Sequence, residues 1–184
     1  MTTKLLNQFK DNMLTLNWEV DVIYPDTDTL SMLYKMDSTY VWCMFNFKDF
    51  GDNFRCHFQS DVSYYDFNDC VQEITGRTNQ YALAKSQHWD VNGVLGSKTF
   101  FQGLSIMIIE WANSVDIALW LQHVADHGSG MPHNQIYAAV WYGKTEFIEK
   151  TIIEAETGNK DRHYGLTQAQ LSKALEIAQK KRTS

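Results

Sequence analysis

The spacing of apolar residues changes from helical to alternating and back along this 184-residue chain, and that change limits the folds open to it. Leu5, Leu6, Phe9 and Met13 recur at helical spacing and predict a short amphipathic helix. From Trp18 the period becomes two. Trp18, Val20 and Val22 alternate with Asn17, Glu19 and Asp21, and the run stops at Pro25 with Asp26 and Asp28 behind it, the pattern of a half-buried strand. Similar β-rich runs at 30–36, 40–47 and 54–62 are separated by Asp37-Ser38 and by Phe50-Gly51-Asp52-Asn53. Short turns between such runs predict an antiparallel meander of about four strands.

Beyond Val62 the pattern turns helical. Residues 67–74 predict a short helix stopped by Gly76, with Asp66 or Asn68 as its cap, and residues 97–120 predict one interrupted helix or two, weakened at Gly103. Residues 144–156 place Phe147, Ile148 and Ile152 on one side, with Gly158 as the stop. In the last helix, 168–181, Thr167 caps and Gln170 closes a capping box, while Leu171, Leu175 and Ala178 form the apolar stripe. The expected fold is α+β: a single domain over 1–184, mainly β to residue 65 and mainly α after it, with the sheet packed against C-terminal helices.

Aromatic residues make up 14% of the chain, which argues for a packed core and against disorder. The runs Tyr40, Trp42, Phe45, Phe47 and Tyr64, Tyr65, Phe67 are expected in core or hairpin packing rather than on a stacking platform. Cys43, Cys56 and Cys70 have no zinc spacing and are odd in number, so reduced, buried thiols are expected. No apolar stretch is long enough to cross a bilayer and no leader pattern opens the chain, so a cytoplasmic protein without a membrane partner is expected.

The net charge of −6 is uneven. The first 76 residues hold 12 acidic and 5 basic residues, whereas residues 160–184 hold 2 and 6. An acidic body repels nucleic acid, so direct DNA or RNA binding is disfavoured, and Lys173, Lys180, Lys181 and Arg182 are read as complements to a helix C-terminus.

The densest group of reactive side chains is 123–133, HVADHGSGMPH. On a helix His123 and His127 lie at i and i+4 with Asp126 beside them, a spacing that can chelate a divalent metal or supply a general acid and base. Ser129 and His133 would lie near the substrate, and His133, following Pro132, is expected to be extended. The zinc-hydrolase helix needs glutamate directly after its first histidine, and Val124 stands there. The competing expectation is a polar helix end capped by Gly128 in the left-handed conformation. Ser129 lacks the strand and spacing of a nucleophile elbow, and Gly143-Lys144-Thr145 lacks the first glycine of a phosphate-binding loop. No cofactor is expected.

Residues 127–153, with His127-Gly128, Gly130-Met131, Ile136-Tyr137, Thr145, Phe147 and a trailing amphipathic helix, resemble a family of small acidic proteins encoded by tailed phages and plasmids. Where that family pairs two tyrosines, this chain has Tyr137-Ala138-Ala139. The resemblance implies a mobile-element origin and brings no reaction with it. By class analogy, such a protein binds a host partner, for example a DNA-handling or defence enzyme, by presenting carboxylates where phosphates are expected. The contact candidates are Asp21, Asp26, Asp28, Asp49, Asp52, Asp61, Asp66, Asp69 and Glu73. Two other expectations stand beside it: an enzyme built on His123, Asp126, His127 and Ser129, with His133 as a further metal ligand, and a homo-oligomeric assembly component.

Overall fold

A computed structural model describes residues 2–50, 53–78, 81, 82, 84–94, 96–157 and 165–183. In chain order the elements are α1 (Thr2–Leu14), β1 (Trp18–Tyr24), a 3-10 turn (Pro25–Thr27), β2 (Thr29–Lys35), β3 (Thr39–Phe50), β4 (Asn53–Tyr64), α2 (Tyr65–Thr75) and β5 (Lys85–Val94). There follow α3 (Lys98–Ser114), α4 (Ile117–His127), α5 (Pro132–Trp141), α6 (Thr145–Glu156) and α7 (Gln168–Thr183). The fold is α+β. The chain divides into two compact units, residues 1–63 with 85–115 and residues 64–84 with 116–184.

The first unit is a five-stranded antiparallel sheet in the order β1-β2-β3-β4-β5, accompanied by α1 and α3. The expected strands all form. The fifth was not expected, because 85–94 lies in the stretch read as mainly helical, and its polar residues outnumber its apolar ones. α1 buries Leu5, Leu6, Phe9 and Met13, the stripe its spacing predicts. The Phe9 ring packs at 4.8 Å from both Phe45 and Phe47 and at 5.4 Å from Phe101 of α3, so one side chain ties helix, sheet and second helix together. Burying a ring of this size contributes about 2–3 kcal/mol. Trp18 closes the same core from β1 and donates its indole N–H to Ser105 Oγ at 2.9 Å.

β1 departs from the expected half-buried strand. Only Trp18 is buried, and the register slips between Val20 and Val22, so Asp21 is the extra residue of a bulge. Val22 stands opposite Ser31, and Asp21 bonds to that same serine, which puts two consecutive side chains on one face. The strand also lies at the sheet edge, where it has one neighbour instead of two.

The second unit is helical. Its core joins Cys70 and Ile74 of α2, Ile136, Ala139 and Val140 of α5, Ile148 of α6, and Leu171, Ala174, Ile177 and Ala178 of α7. The capping box of α7 forms as predicted: Thr167 N–H donates to Gln170 Oε1 at 2.8 Å, and Gln170 N–H returns to Thr167 Oγ1 at 3.3 Å. Gly76 ends α2 in the left-handed conformation, its N–H bonded to Gln72 O. The cap expected from Asp66 or Asn68 does not form. Tyr64 occupies that position, Asp66 lies in the first turn, and buried Asn68 accepts the Ala82 N–H at 2.8 Å.

The stretch 97–120 contains two helices, and the break falls at Val115-Asp116 rather than at Gly103. Asp116 accepts the Leu119 N–H at 2.9 Å and so opens α4. Gly158, the expected stop after α6, lies outside the described residues. All three cysteines are free and buried, and burial pushes each thiol pKa up, that of Cys70 to about 11. Such thiols are poor nucleophiles. Among the described residues no single helix is long and apolar enough to cross a membrane.

Candidate functional site

The histidine segment closes α4. His123 and His127 sit one turn apart, their ring centroids 4.8 Å from each other, with Trp120 5.6 Å from His123. Asp126 lies near enough to His127 to interact with its charge, but its hydrogen bonds go elsewhere. It forms an ion pair with Lys144 and accepts Gln122 Nε2 at 2.9 Å, and the Lys144 bond, followed by the Gln122 bond, holds its carboxyl below the usual range. Gly128 has positive φ but extended ψ (82°, −175°), so it is not the expected left-handed cap, although its N–H bonds to Val124 O.

His133 is helical rather than extended, because Pro132 opens α5 at a position where its missing N–H costs nothing. It packs on Tyr137 at 5.6 Å, and burial lowers its pKa. Ser129 Oγ is spent locally, donating to Met131 O at 2.9 Å and accepting from Met131 N. Among the described residues no three His, Cys, Asp or Glu side chains gather to hold a metal. His123 and His127 are brought together, while Asp126, Ser129 and His133 take their hydrogen bonds or packing from other partners.

The acidic candidates fall into separate groups. Asp21, Asp26 and Asp28 follow one another along β1 and the turn after it. Asp21 accepts the Trp42 indole N–H at 2.8 Å and the Ser31 hydroxyl at 2.9 Å, while Asp26 and Asp28 shape the Pro25–Thr27 turn, Asp28 with φ 53°. Asp66, Asp69 and Glu73 are exposed on α2 in the second unit, and Glu73 pairs with Lys173 at 3.1 Å. The Asp49 side chain and all of Asp52 lie outside the described residues.

Asp61 is corrected as a contact residue: its exposure is 0%. Gln59 Nε2 donates to both of its oxygens, at 3.0 and 2.9 Å, and Ser86 Oγ donates to Oδ1. Burial pushes its pKa up to about 6 against the pull of those hydrogen bonds. A carboxylate so enclosed cannot meet a partner surface.

Asp61 belongs instead to a polar ladder on one face of β4 and β5. Arg55, His57, Gln59 and Asp61 stand opposite Asn92, Asp90, His88 and Ser86. Asp90 receives Arg55 Nη2 at 3.2 Å and lies 3.4 Å from His57 Nδ1, and the rings of His57 and His88 stack at 5.9 Å with an 11° tilt. Polar residues at every second position in both segments were visible in the sequence. What was missing was the pairing, since β5 had not been recognised as a strand.

The exposed edge of the sheet is the other feature that the sequence reading missed. Val20, Val22 and Ile23 are 36–38% exposed and Tyr24 is 49% exposed, all on β1. β5, the opposite edge, carries Lys85, His88 and Asp90 along its length, the usual guard against unwanted pairing. β1 combines open apolar side chains with carboxylates and is followed directly by Pro25.

No family model, curated protein or solved structure matches this chain. The functional reading therefore rests on the molecule's own geometry.

Proposed function

We propose that the chain acts by binding another protein through the β1 edge and its carboxylates, as an accessory protein of a phage or mobile element, rather than by catalysis. One observation supports this reading: β1 presents Val20, Val22, Ile23 and Tyr24 to solvent beside Asp21, Asp26 and Asp28. An apolar strip rimmed by charge is the composition of a recognition surface. Single exposed apolar residues are ordinary, but four within five positions of one edge strand are a patch. The proposed partner is a host DNA-handling or defence enzyme, because a surface that binds phosphates carries the positive charge such a rim attracts.

The test is affinity capture from bacterial lysate with wild-type protein and with Asp26→Lys/Asp28→Asn, asparagine being tolerated in the left-handed conformation at 28. The expected result is a single partner held at low salt, released at high salt and lost from the variant. A partner retained equally by the variant would remove the acidic edge from the reading.

A further inference from the structure

We infer that β1 recognises an extended, basic segment of its partner by accepting it as an additional antiparallel strand. This rests on the protein-binding reading above and specifies how the edge is used. As an edge strand, β1 turns alternate backbone N–H and C=O groups away from β2, where no further strand lies among the described residues. Main-chain hydrogen bonds then supply affinity without regard to sequence, and side chains supply the selection.

The side chains favour a particular occupant. Val20 and Ile23 stand opposite Met32 and Leu30, on the Phe9 face of the sheet, while Val22 and Tyr24 stand opposite Ser31 and Thr29, on the other. An incoming strand therefore meets apolar surface on both faces. Asp21, Asp26 and Asp28 add negative charge, and Lys35, at the end of the neighbouring β2, is already paired with Glu19 at 2.7 Å. Lysine or arginine at alternate positions of the incoming strand, with aliphatic residues between, complements this rim.

Asp21 weighs against a second copy of the chain. Two β1 strands paired antiparallel about a twofold axis near Asp21 would set that carboxylate beside its copy, where like charges destabilise, while Asp26 and Asp28 would fall at opposite ends of the pair.

The probe is a fluorescein-labelled heptapeptide of alternating lysine and valine, beside the same peptide N-methylated at alternate residues, which keeps the charge and removes donors. Binding to the full chain is read by anisotropy, and amide hydrogen exchange of residues 18–24 is followed with and without peptide. Strand addition predicts binding of the first peptide, loss of binding on N-methylation, slowed exchange in 18–24, and at least about tenfold weaker binding to Ile23→Lys. Equal binding of both peptides, or binding with unchanged exchange in 18–24, overturns it in favour of charge attraction alone. Slowed exchange in 18–24 without peptide, rising with protein concentration, overturns it in favour of a second copy. Capture of a lysate partner that needs Asp26 and Asp28 yet leaves exchange in 18–24 unchanged would remove strand addition while keeping the protein-binding reading.

Discussion

The Asp21 carboxylate accepts the indole N–H of Trp42 at 2.8 Å, reaching across β2 from the bulge of the edge strand to the third strand of the sheet. The same oxygen accepts the Ser31 hydroxyl, whose own oxygen takes the Val22 N–H at 3.0 Å. An irregular backbone position is thus held by a chain of hydrogen bonds running into the sheet. Asp21→Ala is expected to cost about 1 kcal/mol, the net value of a partly solvated charge-assisted bond, and to shift Trp42 fluorescence. Chemical denaturation followed at the tryptophan band measures both, and an unchanged midpoint would show that the bulge holds without Asp21.

The buried Asp61 makes stability depend on pH in a direction opposite to that of most carboxylates. Its folded pKa of about 6 lies above the ordinary 3.8, so the folded state holds the proton more tightly than the unfolded chain does. Stability from this group is full below pH 4, falls between pH 4 and 6, and is level above. The difference amounts to about 3 kcal/mol. Asp61→Asn should remove that slope and raise the unfolding midpoint at pH 7 relative to pH 4. Thermal scans at half-unit pH steps give the comparison, and parallel curves for wild type and variant would contradict it.

Gly93 has no room for a side chain. A Cβ there would lie 2.8 Å from Cζ of Phe100 and 2.7 Å from Cε1 of Phe54, two side chains that pack edge to face at 5.5 Å. Phe54 is buried and Phe100 half-buried, so the Phe54 ring does not swing aside freely. Gly93→Ala is expected to destabilise by about 1–3 kcal/mol through overpacking, read by urea denaturation. Full stability in the variant would mean that the Phe54 ring has room to move.

For Asp126 the sign is the usual one. The Lys144 bond depresses its pKa, so the stability it lends is present above the unfolded carboxylate range and lost as pH falls through the folded value. Asp126→Asn should lower the melting temperature at pH 7 and converge with wild type in strong acid. If the residue acted instead as a metal ligand with His123 and His127, zinc would raise the wild-type melting temperature and leave the variant unmoved.

Much of the architecture was legible from local pattern. The α1 stripe, the four expected strands, the Gly76 stop and the Thr167–Gln170 box depend on residues within a turn or two of one another, and all formed. The candidate sites fared differently. His123 and His127 do share a face, but Asp126 turns to Lys144 at the start of α6, which the packing of α4 and α6 decides, and His133 enters α5 because Pro132 opens that helix.

What the sequence determined by itself was the α+β class and the placing of most elements, because periodicity, capping and turn chemistry act over a few residues. What only the tertiary structure decided was partnership. β5 became a strand because β4 offers it a neighbour, with residues 65–84 lying between them in sequence. Asp61 lost its solvent and its ordinary pKa because the fold encloses it, and β1 kept its apolar residues exposed because it came to lie at the edge. Burial and pairing are set by residues far apart along the chain, and no local pattern carries that information.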